Sequence, residues 1–316
     1  MLSYIFSANF LDALLRMGTP LVFVGMAAVM GGKANILCVA YEGMMLFAAL
    51  GGAIGSAYTQ SLLAGAALGM AFSMAVAMIF AYFVLYLDTK PLLAGLALNT
   101  LGTGGTVYVV YLLTGMKLDT SSLPSLKFPA VDIPLIKDIP ILGPILSGHN
   151  LMTYLAFFAV ALVWFLLKKT RLGLRIQAVG QDAAAAASVG INVRKTKFIA
   201  LTISSIFAAM GGMYMSMGYL PYFTANMTAG RGFIGIAAQN LAVGHPLWTM
   251  FFALLFGASM AVGNMAQSYR LPSQFAALMP YLITLIGLVI MGARSKKQDS
   301  LTAEAAMKLH PTAGAK

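Results

Sequence analysis

The sequence predicts an all-α, polytopic bundle of membrane helices, and two observations support this fold class. Of the 316 residues, 60% are hydrophobic and only 9% are charged, whereas a soluble domain carries about 25% charged residues. The apolar runs are also too long for the strands of a transmembrane barrel, and in lipid such runs satisfy their backbone hydrogen bonds as helices. At the length that crosses hydrocarbon, we expect about eight or nine transmembrane or re-entrant helices.

The N-terminal third is expected to hold an interfacial or partly buried amphipathic helix followed by four apolar segments. In chain order these are Leu2–Met17, Pro20–Met30, Asn35–Tyr58, Leu62–Leu87 and Leu92–Thr114. The last two exceed the roughly 20 residues needed to cross hydrocarbon, and Asp88 and Lys90 between them mark a tight cytoplasmic turn. The N-terminus is predicted to lie outside or in the interface, and we expect no removable signal peptide because a basic leader and a cleavage site are missing.

Two polar regions set the expected orientation. Met116–Asn150 has three lysines, three aspartates and five prolines, so we expect an extended extracytoplasmic loop. After the span Leu151–Leu167, residues 168–197 hold seven Lys or Arg against one Asp, so we expect this loop in the cytoplasm. Within it, Asp182 is a plausible N-cap, Ala183–Ala187 form a short helix, and Gly190 ends the helix.

The C-terminal part is expected to alternate spans with short connections. The segments are a span Phe198–Met217, an interfacial aromatic turn at 219–223, a short or re-entrant helix Gly230–Gly244, a span from His245 to Gly263, an outer loop Asn264–Gln274 and a last span Phe275–Met291. One transmembrane domain therefore covers residues 1–293, and the basic tail 294–316 is expected to be cytoplasmic and disordered.

Polar residues within the apolar segments are the candidates for a solute pathway: Asn35, Glu42, Asn99, Gln239 and Asn240. A carboxylate at bilayer depth costs at least about 2.5 kcal/mol, so it faces a cavity or a partner. Glu42 is therefore either a pathway residue or packing anchor at bilayer depth, or a residue nearer the cytoplasmic end that hydrogen-bonds locally, and the residues alone favour neither. Single amides are more often contacts between helices. Arg231 is predicted to reach the outer surface.

Several classes of protein are excluded. The net charge of +11 concentrates where topology explains it, so we expect no nucleic-acid partner. The three histidines are far apart and the single cysteine, Cys38, permits no internal disulfide, so we expect no metal site. A phosphate-binding loop is also missing. We therefore expect no enzymatic activity and no cofactor on this chain.

Three stretches resemble permease subunits of bacterial ABC importers, in the group that transports branched-chain amino acids, ribose and nucleosides. They are TRLGLRIQAVGQDAAAAASVGINVRKTKFIALTISSIFAAMGGMY from Thr170, NILCVAYEGMMLFAALGGAIGS from Asn35, and GRGFIGIAAQNLAVGHP from Gly230. The EGMML and GFIGIA runs are most similar to the nucleoside and simple-sugar branch. The resemblance implies a permease subunit of the inner membrane that moves a nucleoside or simple sugar inward.

The resemblance also implies partners. These are an ABC ATPase that holds the ATP, a second permease subunit that is identical or related, and an extracytoplasmic solute-binding protein. The ATPase would bind a docking helix at Gln181–Val189, and the residues implied in coupling are Gly180, Gln181, Asp182, Ala183, Ala184, Ala185, Ala186, Ala187 and Gly190.

The sequence departs from the family pattern at several positions, and two alternative functions stay open. Tyr41 replaces a small residue, Ala183 a proline and Gln181 a glutamate, so the identity of the solute is in doubt. A stand-alone secondary transporter or channel would use Glu42 and Arg231 for coupling, although the internal repeat expected of many such transporters is not evident. A membrane scaffold needs no polar residues within its spans, which argues against the second alternative.

Overall fold

A computed structural model describes residues 8–131 and 148–268, together with the helical positions Leu278, Leu282 and Leu285. The helices are α1 (Ala8–Lys33), α2 (Tyr41–Thr59), α3 (Leu62–Leu85), α4 (Pro91–Thr114), α5 (Leu151–Lys169), α6 (Arg171–Gln181), α7 (Ala183–Ser188), α8 (Val193–Met213), α9 (Arg231–Leu241) and α10 (Pro246–Ser268). A π-helical turn, Tyr214–Tyr219, extends α8. The strands β1 (Ala130–Val131) and β2 (His149–Asn150) form an antiparallel hairpin. Most of the predicted last span and the tail lie outside the described residues.

Six of these helices are long and apolar enough to cross a membrane: α1, α3, α4, α5, α8 with its π-helical turn, and α10. Helices α2 and α9 pack among them. The fold is therefore the predicted all-α polytopic bundle. The spans predicted at Leu62–Leu87, Leu92–Thr114 and Leu151–Leu167 agree with α3, α4 and α5 to within two residues.

Helix α1 is the centre of the bundle. It packs against α5, α8, α9 and α10, and every residue from Met17 to Gly31 is buried. The predicted separation of an amphipathic helix from a second, short segment was wrong, because one helix continues through Pro20. Residues 11–15 of this helix are partly buried, which is one of the two predicted placements. Proline is tolerated inside this helix because the neighbouring helices hold both halves in place and surround the freed backbone groups.

Small residues allow α2 to approach its neighbours closely. The α-carbon of Gly43 lies against Gly102 of α4, and a Cβ built on Gly102 would come within 2.7 Å of it. On the other side, Gly212 of α8 lies directly on the backbone of Met45. Between α3 and α8, the hydroxyl of Ser73 donates to the carbonyl of Ser205 at 2.9 Å. Close backbone approach and hydroxyl hydrogen bonds are the usual means by which helices associate in lipid.

Gly212→Ala is expected to destabilise the protein by about 1–3 kcal/mol, because its methyl group would overlap the Met45 backbone and overpack the α2–α8 contact. Gly104→Ala in α4 is the matched control, since nothing lies within 4 Å of a Cβ built at Gly104. The measurement is the thermal midpoint of unfolding in detergent. Equal midpoints for the two variants would contradict the close α2–α8 contact.

The two ends of the bundle differ in charge. One end, here named the basic end, carries Lys33, Lys168, Lys169 and Arg194. The Arg194 guanidinium lies over the Tyr86 ring, 5.7 Å from its centroid. Helices α6 and α7 lie at this end, where Gly180 touches the last residues of α1. The opposite end carries the β1–β2 hairpin and the segment 219–230.

Two boundaries and the burial of one residue differ from the predictions at these ends. Helix α10 continues to Ser268, beyond the predicted loop start at Asn264, whose amide nitrogen lies 3.9 Å from the Met17 sulfur. Helix α2 begins only at Tyr41, and the predicted segment starts with irregular backbone in which Asn35 has a left-handed φ of 53°. Phe223 is fully buried rather than interfacial, because its backbone N–H is held by the Thr120 hydroxyl and the loop around Thr120 covers it.

Candidate functional site

Two interrupted segments meet at the basic end of the bundle. Residues 34–40 leave α1 without regular secondary structure, and α9 has only 11 residues. The end of α1, just before the first of these segments, touches α9, since a Cβ built on Gly32 would lie 2.9 Å from the amide nitrogen of Gln239. Irregular backbone at membrane depth is tolerated only where protein buries it or where it lines a cavity. The predicted short or re-entrant helix at Gly230–Gly244 is α9.

A cavity of about 220 Å³ lies between these segments, and we name it the amide cavity. Its walls are Ala28, Gly32, Asn35, Ile36, Leu37, Cys38, Tyr41, Ile236, Gln239 and Asn240. Three of the five predicted pathway residues, Asn35, Gln239 and Asn240, therefore lie together. Asn35 and Asn240 are exposed and Gln239 is half-buried. No charged side chain belongs to this lining of described residues, and each amide offers both donors and an acceptor.

Tyr41 forms the inner wall of the amide cavity. Its ring is 1% exposed. Its hydroxyl donates to the carbonyl of Ala27 at 3.1 Å and accepts a hydrogen bond from Ser204 at 3.0 Å. The phenol thus joins α1 to α8 behind the cavity. This placement gives Tyr41, which departs from the family pattern, a direct influence on the size of the cavity.

Glu42 does not line the amide cavity. Its carboxylate is buried and accepts hydrogen bonds from the Thr228 hydroxyl, from Gly230 N–H at 2.8 Å and from Gly232 N–H at 2.7 Å. These donors surround the N-terminus of α9, where the helix dipole favours a negative charge. The arrangement favours the packing anchor over the pathway residue, because Glu42 ties the first turn of α2 to the start of α9.

Asn99 likewise joins two elements. Its side-chain oxygen accepts from Gly43 N–H at 2.8 Å, and its amide nitrogen donates to the Val39 carbonyl at 2.8 Å. Asn99 is buried in α4, so it fixes the backbone on both sides of Glu42 without lining the amide cavity.

Arg231 lies inside the bundle, so the prediction that it reaches the outer surface was wrong. Its guanidinium donates to the carbonyls of Met227 at 3.2 Å and Thr228 at 3.1 Å, and its other terminal nitrogen lies 4.0 Å from the Met17 sulfur. The side chain folds back onto the turn before α9 because free carbonyls are available there.

The donors around Glu42, which are Thr228 and the amides of two glycines, were not predicted from the sequence. The only local signal for them was the run TAGRG.

The predicted docking helix is present but shorter than Gln181–Val189. Helix α7 covers Ala183–Ser188, and Gln181 instead ends α6. The two helices are separate because Asp182 has extended backbone. The predicted cap is confirmed: the Asp182 carboxylate accepts from Ala184 N–H and Ala185 N–H, both at 2.9 Å.

Helix α7 has one buried and several exposed small side chains. Ala186 faces the protein, whereas Ala184, Ala185 and Ala187 are exposed. Val189, which follows the helix, is 74% exposed. Gly190 ends the helix with φ of 82°, as predicted.

Gly180 lies one turn earlier, inside α6, where it contacts the Lys33 carbonyl. The Lys33 ammonium in turn lies 3.5 Å from the Val243 carbonyl, beyond the end of α9. Lys33 therefore contacts both α6 and the segment that follows α9. Within the described residues, no group of three His, Cys, Asp or Glu side chains is placed to hold a metal.

Comparison with known proteins places this arrangement in context. The model of a protein family described as "Branched-chain amino acid transport system / permease component" matches residues 10–291. The chain is 33% identical to a putative glucose ABC transporter permease protein of Haloferax volcanii, over 84% of this chain and 80% of the relative. It is 31% identical to a guanosine ABC transporter permease protein of Bacillus subtilis, over 87% of this chain and 89% of the relative.

A third relative and one solved structure are also similar to this chain. A nucleoside ABC transporter permease protein of Lactococcus lactis is 28% identical, over 86% of this chain and 88% of the relative. Among solved structures, PsaBC from Streptococcus pneumoniae, in complex with Fab, matches with a TM-score of 0.54 and 12% identity, covering 90% of this chain and 93% of that chain. This last likeness concerns the fold alone.

Proposed function

The chain belongs to the family of permease components of branched-chain amino acid transport systems, and from that premise we propose that it moves a nucleoside or simple sugar inward as one subunit of an ATP-driven importer. The observation that carries the choice of solute is the amide cavity. Amide groups from Asn35, Gln239 and Asn240 line it without any charged side chain, which suits a neutral solute rich in hydroxyl or amide groups. The relatives named for guanosine, nucleoside and glucose transport support the same class.

A second permease subunit, identical or related, completes the pathway in this proposal. The amide cavity of about 220 Å³ is smaller than the roughly 300–1,000 Å³ of ordinary small-molecule sites. Its rim is exposed: Leu37, an apolar residue, is 58% exposed beside Asn35. A facing subunit would cover this rim and enlarge the enclosed site.

The partner ATPase holds the ATP and binds α7 at the basic end. Because loops rich in Lys and Arg stay in the cytoplasm, we place the basic end there, together with the C-terminal tail. The opposite end, with the β1–β2 hairpin, then faces the solute-binding protein outside. The exposed alanines of α7 suit insertion into a groove, and the contact between Gly180 and Lys33 leads from α6 to the amide cavity.

Ion-coupled transport by this chain alone has less support. A coupling carboxylate must be able to exchange its partner, and Glu42 has three hydrogen bonds from the start of α9. Arg231 likewise donates to carbonyls of its own turn. The two groups that this mechanism would need therefore both have structural partners.

Purification of the tagged chain from its native membrane in mild detergent is expected to recover a stoichiometric ATPase containing a GxxxxGK[ST] loop. A second permease band would indicate a heterodimer. Vesicles that contain this complex and the binding protein should take up a radiolabelled nucleoside or hexose only with ATP. Recovery of the chain alone from several detergents, with uptake that follows an ion gradient, would contradict the importer and favour a secondary transporter.

A further inference from the structure

A second cavity lies at the opposite end of the bundle, beneath the β1–β2 hairpin. It has a volume of about 350 Å³, which falls within the range of small-molecule sites, and we name it the hairpin cavity. Helix α1, the start of α5, the π-helical turn and the loop before β1 enclose it. The residues that carry its chemistry are Asp12, Arg16, Lys127, Phe128, His149 and Tyr214.

The hairpin cavity is far from the amide cavity. Asp12 and Gly32 belong to the two cavities and lie 20 positions apart on α1 (32 minus 12), which corresponds to roughly 30 Å along a helix. A small solute in one cavity therefore does not reach the other.

The polar groups of the hairpin cavity are held in place by neighbours. The Asp12 carboxylate lies 3.3 Å from Nδ1 of His149, which is 7% exposed, while Asp12 itself is 48% exposed. The Arg16 guanidinium lies over the Tyr219 ring, 5.4 Å from its centroid. Asp12 is thus oriented by a buried group while much of its side chain stays accessible.

The chemistry of the cavity matches a solute with adjacent hydroxyl groups. A carboxylate accepts hydrogen bonds from hydroxyls, and guanidinium and ammonium groups donate to hydroxyl oxygens. Asp12 and Arg16, one turn apart on α1, offer both kinds of contact side by side. The half-buried Phe128 adds aromatic surface for the apolar face of a sugar or base.

We propose that the hairpin cavity is an outer solute site, which binds the hydroxyl groups of a sugar or of the sugar part of a nucleoside before the solute reaches the amide cavity. This inference rests on the proposed function. It adds a binding site within one subunit, with Asp12 as the hydroxyl acceptor and Arg16 and Lys127 as the donors.

The test uses cysteine protection in right-side-out membrane vesicles that contain the complete importer. Ala130 is exposed and lines the hairpin cavity, so an Ala130→Cys variant should react with a membrane-impermeant maleimide. Ser121→Cys, at an exposed position of the same region outside the cavity lining, is the matched control. The native Cys38 is buried, so its reaction is expected to be slow.

Radiolabelled adenosine and glucose are the probes, and the one that the complete importer takes up is used for protection. At about ten times its dissociation constant, the solute should slow labelling of the Ala130→Cys variant roughly tenfold, as its free fraction falls. Labelling of the Ser121→Cys variant should not change. Adding Asp12→Asn should remove the protection, whereas adding Asn240→Ala should leave it.

Uptake without protection of Ala130→Cys, or equal protection of both cysteine variants, would overturn the outer site while leaving the proposed function intact. Protection that survives Asp12→Asn would overturn the assignment as well. If neither probe is taken up by the complete importer, the proposed function fails and the outer solute site fails with it. The extent of maleimide reaction with unprotected protein shows that each introduced cysteine is accessible from outside, and ATP-driven uptake shows that each variant is folded.

Discussion

Replacing Ala185 by arginine is expected to abolish ATP-driven uptake while leaving insertion and folding intact. Ala185 is exposed on α7, and arginine is a good helix former, so the helix and its Asp182 cap remain. The long charged side chain would not fit a groove that receives small alanine side chains.

Three measurements separate loss of docking from loss of structure: uptake, ATPase activity of the co-purified complex, and the thermal midpoint of the permease. Ala185→Ser is the matched control, because serine stays small and should retain uptake. Ala186→Arg shows the effect of lost structure, since Ala186 is buried and a buried charge should lower the thermal midpoint. Normal uptake by the Ala185→Arg variant would exclude α7 as the docking helix.

Replacing Glu42 by glutamine is expected to detach the start of α9 and to remove most uptake. The carboxylate accepts hydrogen bonds from Thr228, Gly230 and Gly232. A glutamine amide has one acceptor oxygen and an NH₂ group, so its nitrogen would face donors and at least one buried N–H would lose its partner. Each such unsatisfied group costs about 1–3 kcal/mol, and the lost negative charge adds to this at the helix N-terminus.

Asp88→Asn is the matched control for the Glu42 variant, since it makes the same acid-to-amide change at an exposed position. Asp88 has a left-handed backbone with φ of 50°, which asparagine tolerates well. We expect a lower thermal midpoint and lost uptake for Glu42→Gln alone. Lost uptake at an unchanged midpoint would instead assign Glu42 to the solute pathway, and unchanged uptake with an unchanged midpoint would exclude both roles.

The docking region was the part of the candidate site that could be predicted best from sequence. A capping aspartate, a run of alanines and a terminating glycine act over a few residues, so the local pattern contains the information. The N-cap contacts from Asp182 to Ala184 and Ala185 confirm this. The helix boundary at Gln181 was missed because a single residue with extended backbone, Asp182, separates α6 from α7.

The pathway candidates were harder to predict, because five polar residues with similar sequence surroundings lie in different places in the fold. Asn35, Gln239 and Asn240 line one cavity. The side chains of Asn99 and Glu42 instead form hydrogen bonds with backbone groups of neighbouring elements. Near-uniform hydrophobicity hides which face of a membrane helix points inward, so periodicity could not separate the two groups.

By itself, the sequence determined the class of the protein: a polytopic helical membrane protein whose basic loops define one end and whose polar loop contains a capped helix. These properties follow from composition and from contacts between near neighbours in the chain. Tertiary structure alone decided that α1 continues through Pro20, that Arg231 is internal, and that the Glu42 carboxylate accepts hydrogen bonds at the start of α9. Glu42 and Thr228 are 186 positions apart, and such contacts depend on how the helices pack, which no local pattern specifies.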